Sequence, residues 1–297
     1  MIMPNFLIIG AAKSGTTALY HYLKQHPQIY MSPLKETEFF AFEGKPLDFQ
    51  GPGDMPRKSI TNLEDYQAQF RGVSTEIAIG EASPVYLYNS KAPQRIFHYI
   101  PDAKLIVILR DPIERAYSQF LMFIRDGRES IRDFAKALQE EETRQDNNWA
   151  WGWQYTKVGL YYVQLKRYFD LFDQNQIKVY LYEDLKNSEH NLLQNIFMFL
   201  DVDETFIPDI SFKPNISKIP KNEFIHALLT NPNSLVMTAK YLFPSRLRQI
   251  ITTNLKNKNL FKPPQLSPEI RKQLLPVFHE DILQLQELIQ RDLSAWL

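Results

Sequence analysis

This chain predicts an α/β three-layer sandwich: a central parallel sheet flanked by helices, with a helical C-terminal region. Three observations carry the expectation. Continuous runs of leucine and β-branched residues recur along the sequence, as strands buried on both faces require. Stretches with helical periodicity separate those runs, the alternation that builds parallel sheets. Two of the runs pass directly into helix starts, one through a glycine loop and one through Asp-Pro.

Taken in order, the first strand is Phe6–Gly10, followed by a small-residue loop and a helix over Thr17–Gln25. Residues 43–58 hold proline, glycine and charge without periodicity and read as a loop. A second strand spans Ile77–Glu81, with a helix over Ala92–Tyr99 after it. The third strand, Lys104–Leu109, ends at Arg110; Asp111 can cap the helix Ile113–Ile124, with Pro112 at its first position. Helices over Ile131–Glu142 and Tyr161–Phe172 lead to a fourth strand, Ile177–Tyr182, and a helix over Glu189–Leu200. From Ile207 on the chain reads as mainly helical, with Ser267 an N-cap and Pro268 the first residue of the last helix.

The 297 residues are 44% hydrophobic and 13% aromatic, enough for a substantial core. Length alone allows one or two domains; with no internal repeat or low-complexity tract, residues 1–297 read as one. Formal net charge is zero, so no overall field draws the chain to nucleic acid or an anionic membrane. Cysteine is absent, which excludes disulfides, zinc-thiolate sites and cysteine nucleophiles. The first apolar run, Phe6–Ala12, is too short for a membrane span and has no basic residues before it, so no integral membrane segment and a cytoplasmic location are expected. Lysines and arginines gather at 240–262 without a carboxylate, as a solvated helix face does or as a surface steering an anionic ligand would.

The chemistry concentrates at residues 6–17, Phe-Leu-Ile-Ile-Gly-Ala-Ala-Lys-Ser-Gly-Thr-Thr. A strand that stops, a tight loop and a helix N-terminus form a phosphate cradle, because the first helical amides lack intrahelical acceptors. Gly10 and Gly15 permit close approach of a bulky oxyanion. Lys13 adds a point charge, and Ser14, Thr16 and Thr17 add hydroxyl donors. The lysine precedes the second glycine, unlike the common nucleotide P-loop, where it follows and a hydroxyl holds Mg²⁺. A tight βα turn with a solvated lysine fits the same residues. No cluster of metal-ligating residues is found, so no metal is expected.

Lys-Ser-Gly-Thr-Thr after a strand resembles the 5′-phosphosulfate loop of sulfotransferases that use 3′-phosphoadenosine 5′-phosphosulfate (PAPS). Residues 103–120 resemble the family's 3′-phosphate site, in which a strand-end arginine and a serine on the next helix bind the phosphate. Here these are Arg110 and, eight residues later, Ser118. Arginine offers phosphate a bidentate fork. An ion pair between Arg110 and a carboxylate is the other reading of that residue. Pro33-Leu-Lys-Glu-Thr-Glu-Phe-Phe40 resembles the segment of heparan-sulfate-type and bacterial sulfotransferases that carries a catalytic glutamate three residues before Phe-Phe. The spacing selects Glu36, not Glu38. The resemblance implies that Glu36 is the general base and that Lys35 helps hold the sulfonate. His26, in a family where other branches use histidine, reads as structural.

Gly80-Glu-Ala-Ser-Pro-Val-Tyr86 resembles a family segment, Glu-Lys-Thr-Pro-x-Tyr, with Ala82 in place of the lysine. Glu81 keeps the carboxylate, either to orient an acceptor hydroxyl or to partner the following loop. Residues 212–221 resemble a loop that closes over the nucleotide, which implicates Asn215, Ser217 and Lys218 in binding it. Tyr182-Glu-Asp-Leu185 and the closing helices also match bacterial members. Trp149, Trp151 and Trp153 suit either a sugar-stacking surface or a core edge. The resemblance thus implies a P-loop-like fold and transfer of a sulfuryl group from PAPS to a hydroxyl or amine of an acceptor, with a glycan favoured. Two alternatives stand beside it: a kinase or NTPase using ATP and Mg²⁺, for which Asp111 is the one tidy metal ligand, and a non-catalytic nucleotide-binding protein. Acceptor identity and oligomeric state are not legible.

Overall fold

The structure, a computed structural model, describes residues 2–55, 58–211, 219–220, 260–261 and 264–297. In chain order the sheet strands are β1 Phe6–Gly10, β2 Ile29–Met31, β3 Ala78–Ala82, β4 Lys104–Leu109 and β5 Ile177–Leu181. The helices are α1 Thr16–Leu23, α2 Phe39–Phe42, α3 Leu63–Ala68, α4 Val85–Tyr88, α5 Ala92–Tyr99, α6 Pro112–Arg125, α7 Phe134–Gln139, α8 Glu141–Asp146, α9 Tyr161–Phe169, α10 Tyr182–Asn187, α11 Glu189–Phe199 and α12 Pro268–Ile289.

All five strands pair in parallel, in the order β2-β3-β1-β4-β5. Because side chains alternate along a strand, the sheet sorts its residues between two cores. Leu7, Ile9, Leu105, Val107 and Leu109 face a core shared with α2, α5, α6, α9 and α12. Phe6, Ile8, Ile106 and Ile108 face a second core shared with α1, α10 and α11. This is the three-layer sandwich the apolar runs predict. At Gly80 the β3 backbone passes so close to the Phe6 ring that a Cβ would lie 2.2 Å from it.

β1 and β4 begin and end where expected; β3 and β5 differ by one residue. β2 is additional to the expected strands, since three residues are too short a run to show a pattern. The helix expected over Ile131–Glu142 divides at Glu140 into α7 and α8. Ser267 caps α12 by accepting the Ile270 amide, with Pro268 at the first helical position as predicted. The region expected to be mainly helical also contains a short antiparallel pair, β6 Ile219–Pro220 with β7 Leu260–Phe261. Among the described residues no helix is long and apolar enough to cross a membrane.

The connection leaves β1 toward β3 and β2 on one side, then returns to β4 on the other. Ligands of open parallel sheets bind at such a reversal, outside the strands' carboxyl ends. The loops after β1, β3 and β4 all open there.

Candidate active site

The loop after β1 turns through left-handed backbone at Lys13 (φ 69°) and Gly15 (φ 96°). Gly15 is the N-cap of α1, no side chain caps that helix, and a Cβ on Gly15 would meet Leu185 Cδ2 at 2.5 Å. The amides of Gly15, Thr16 and Thr17 donate to no acceptor among the described residues. Ser14 Oγ is buried and likewise lacks a hydrogen-bond partner. Unpaired buried donors at a helix N-terminus are what an oxyanion would satisfy.

Among the described residues Lys13 has no carboxylate partner; its Nζ lies 3.3 Å from Met122 Sδ. Burial, and then the Arg125 charge, lower its pKa to about 8; Asp126 pulls the other way, and Arg110 and Arg115 add to the lowering. Arg115 is itself fully buried: Nη2 donates to Tyr155 O at 2.7 Å, while Nε and Nη1 have no partner among the described residues. This surplus of positive charge fits a polyanion.

Arg110 follows β4 and ties the second pocket to the first. Its Nη1 reaches Lys13 O at 3.4 Å, Nη2 reaches Glu114 at 3.4 Å, and the guanidinium lies 5.0 Å from the Tyr182 ring centroid. Asp111 caps α6 as predicted: Oδ1 accepts the Ile113 and Glu114 amides at 2.9 and 3.0 Å, and Oδ2 pairs with Arg271 at 2.6 Å. Arg271 also donates to Trp296 O. Lys13, Gly15, Thr16, Thr17, Arg110 and Ser118 line one cleft of about 640 Å³.

Glu36 lines the same cleft. Its backbone is left-handed (φ 64°), its amide donates to Ala82 O at 3.0 Å, and its carboxylate pairs with Lys35. Lys35 therefore reaches the cleft only through Glu36. Glu38, which the spacing set aside, also lines it; this carboxylate is buried, accepts the Ser59 hydroxyl and has φ 56°.

Glu81 takes the second of its two expected readings: it does not line the cleft, where the first would have set it against an acceptor, and its carboxylate partners the segment that follows it. It is fully buried at the end of β3, accepting hydroxyl protons from Tyr86 at 2.6 Å, Ser83 at 2.7 Å and Tyr66 at 3.4 Å. Burial raises its pKa to about 7 against the pull of those hydrogen bonds. The β3 strand runs one residue further than expected, and α2, α3 and α4 cover its end.

Beyond Lys13 along α6 the cleft becomes aromatic. Phe123 and Trp151 line it together with Asp54 and Arg128. Asp54 is buried, pairs with Arg128, and accepts the Ala150 amide at 2.8 Å and Trp153 Nε1 at 3.1 Å. The Arg128 guanidinium sits 4.2 Å from the Phe123 ring centroid. Trp153 is thus a core residue, and Trp151 is the tryptophan at the cleft. His26 is structural: buried, with Nε2 against Asp203 O at 2.9 Å and Nδ1 accepting the Gln28 amide. Sequence reading missed Met122, Asp54 and Arg128, none of which lies in a motif. Asn215, Ser217, Lys218 and nearly all of the 240–262 basic stretch lie outside the described residues.

The sulfotransferase family model matches residues 4–206. The chain is 36% identical over 120 residues to the membrane-associated sulfotransferase kil1 of Dictyostelium discoideum, covering 40% of this chain and 23% of that protein. It is 27% identical over 247 residues to human carbohydrate sulfotransferase 15, covering 67% of this chain and 44% of that protein. The chain thus spans less than half the length of either relative. A solved sulfotransferase from Alicyclobacillus acidocaldarius superposes with a TM-score of 0.78 at 34% identity, covering 100% of this chain and 99% of that one.

Proposed function

The chain belongs to the sulfotransferase family, and from that premise we propose that it transfers a sulfuryl group from PAPS to a hydroxyl or amine of a carbohydrate, with Glu36 as general base. One observation carries the donor assignment. Lys13 and Arg110 line a single cleft, with the Arg110 guanidinium against the Lys13 carbonyl. Two cationic pockets on one cleft suit a nucleotide phosphorylated at both ends.

The amides of Gly15, Thr16 and Thr17 hold the 5′-phosphosulfate, and Lys13 offsets the charge that grows on the bridging oxygen as the S–O bond breaks. Arg110 and Ser118 fix the 3′-phosphate. Glu36 accepts the acceptor's proton as its oxygen or nitrogen bonds to sulfur, a contribution of about 10²–10⁴ in rate. Lys35, paired with Glu36, stands ready to meet the sulfonate. Asn215, Ser217 and Lys218 complete the nucleotide contacts in this proposal. No metal takes part in it.

The carbohydrate assignment is supported by the relative named carbohydrate sulfotransferase 15 and by the aromatic end of the cleft, where the half-buried Trp151 is available to a sugar ring. A kinase reading loses its one metal ligand, because both Asp111 oxygens are already engaged by the α6 amides and Arg271. A cytoplasmic location and a single catalytic domain belong to the same proposal, and fractionation of expressing cells tests the first.

The experiment is transfer of ³⁵S from labelled PAPS to a panel of oligosaccharides, alongside thermal shifts with 3′,5′-adenosine bisphosphate (PAP) and with ATP plus Mg²⁺. Stabilisation by PAP and label on a saccharide are expected. Stabilisation by ATP with Mg²⁺ but not by PAP would overturn the donor assignment. Tight PAP binding with no label on any acceptor would favour a binding protein.

A further inference from the structure

We propose that Glu81 is a positioning residue for transfer: from outside the cleft, its carboxylate sets the direction of two hydroxyls that hold the segment bearing Glu36 and Glu38. The inference rests on the reading of Glu36 as base, and its first test does not depend on activity.

Residues 36–40 are hung from residues 82–86. The Glu36 amide donates to Ala82 O at 3.0 Å, the Glu38 amide to Ser83 Oγ at 3.0 Å, and the Phe40 amide to the Tyr86 hydroxyl at 3.4 Å. Thr37 Oγ1 lies 3.1 Å from that same hydroxyl. Two of the three hanging amides therefore need a hydroxyl oxygen with a free lone pair facing them.

A hydroxyl has one proton to give. Ser83 gives its proton to Glu81 Oε2 at 2.7 Å, and Tyr86 gives its proton to Oε1 at 2.6 Å. Both oxygens are thereby left as acceptors toward Glu38 and Phe40. An ionised Glu81 is the acceptor that gives the whole chain its polarity. Glu36 and Glu38 both occupy left-handed backbone, a conformation that non-glycine residues keep only when their surroundings over-determine it.

The groups facing Glu81 are hydroxyls: Tyr66 from α3, Tyr86 from α4, Ser83 from the end of β3 and Thr37 from the segment before α2. No ion pair reaches it among the described residues. Burial and the Glu81 charge hold the Tyr66 and Tyr86 hydroxyls well above the usual tyrosine range, so both stay donors. The Glu81 carboxyl titrates at about 7, so the polarity is set and lost within the neutral range. Once protonated, Glu81 must itself donate, and one hydroxyl is turned or displaced.

The test compares the wild-type chain with Glu81→Gln, which places a donor where an acceptor is needed, and with Ser83→Ala. Amide hydrogen exchange resolved to single residues is read first, at pH 8. Glu81→Gln should speed exchange at Glu38 and Phe40 by about tenfold or more, as expected for one lost hydrogen bond. The β1 and β4 amides and the PAP dissociation constant should hold. Ser83→Ala should affect Glu38 more than Phe40, and it carries the test if Glu81→Gln does not fold. In turnover, kcat should fall on the acid side of about pH 7 in wild type, and Glu81→Gln should lower kcat and abolish that limb without raising the KM for PAPS. Unchanged exchange at Glu38 and Phe40 would overturn the proposal, as would equal acceleration throughout the sheet. If the exchange pattern holds but no sulfate is ever transferred, the functional reading fails instead.

Discussion

Lys13 should take up a proton when nucleotide binds. Free of ligand, it titrates at about 8 because it is buried beside Arg125. At pH 8 about half the molecules therefore hold a neutral lysine. An oxyanion in the loop restores the charged form, so binding of PAP at pH 8 should absorb about half a proton per site. PAP contributes none of it, since phosphate monoesters lose their second proton near pH 6. The sign follows: affinity is greatest below pH 8 and falls as pH rises. At pH 9 only about one molecule in eleven is charged, so Kd should weaken about tenfold, or ~1.4 kcal/mol. Isothermal titration calorimetry in two buffers of different ionisation enthalpy gives the proton count as a slope, and Lys13→Arg provides a cation that does not titrate. A slope of zero in wild type at pH 8, or an unchanged slope in Lys13→Arg, would refute the reasoning.

Glu36→Gln should leave PAP affinity within about twofold of wild type while cutting transfer by about 10²–10⁴, followed as PAP release; full activity would move the base elsewhere. Arg144 and Glu129 form a buried bidentate pair at 2.8 and 2.9 Å, with Tyr155 also donating to Glu129. Arg144→Ala strands that carboxylate, and urea unfolding should show a loss of about 3–5 kcal/mol; a loss under about 1 kcal/mol would mean the pair is not formed. Glu81 makes stability and activity respond oppositely to pH. Its pKa is raised on folding from 4.5 to about 7, so its stabilising effect is complete below pH 4.5 and lost as pH rises through 7, about 3 kcal/mol in all. The difference in unfolding free energy between wild type and Glu81→Gln should show that slope, and a flat difference from pH 4.5 to 8 would contradict it.

What the sequence made legible is local. The strands β1 and β4 announce themselves as unbroken apolar runs, and the Asp111 cap and Pro112 start follow from short-range rules. The phosphate loop was readable because every group it needs lies within one stretch of chain. β2 escaped because three residues hold no period, and the break between α7 and α8 because neither glycine nor proline marks it. The Asp54–Arg128 pair joins residues 74 apart, a separation to which no spacing rule applies. Glu81 is the instructive case. Its neighbours in sequence suggested a carboxylate at the cleft, but its role depends on Tyr66 and on segment 36–40 folding over the end of β3. Burial and hydrogen-bond direction are properties of that assembly, not of the motif.

The link from Asp111 through Arg271 to the Trp296 carbonyl has a consequence for synthesis. The cap that shapes the arginine pocket is braced by a residue emerging from the ribosome 160 positions later. A nascent chain can close its sheet and bury the core under α1, α10 and α11 while the pocket's brace, and the α12 share of the other core, are still unmade. Competence to grip the nucleotide should therefore come only after α12 has docked, so that this helix acts as the latch on a site whose phosphate-binding residues were made long before it.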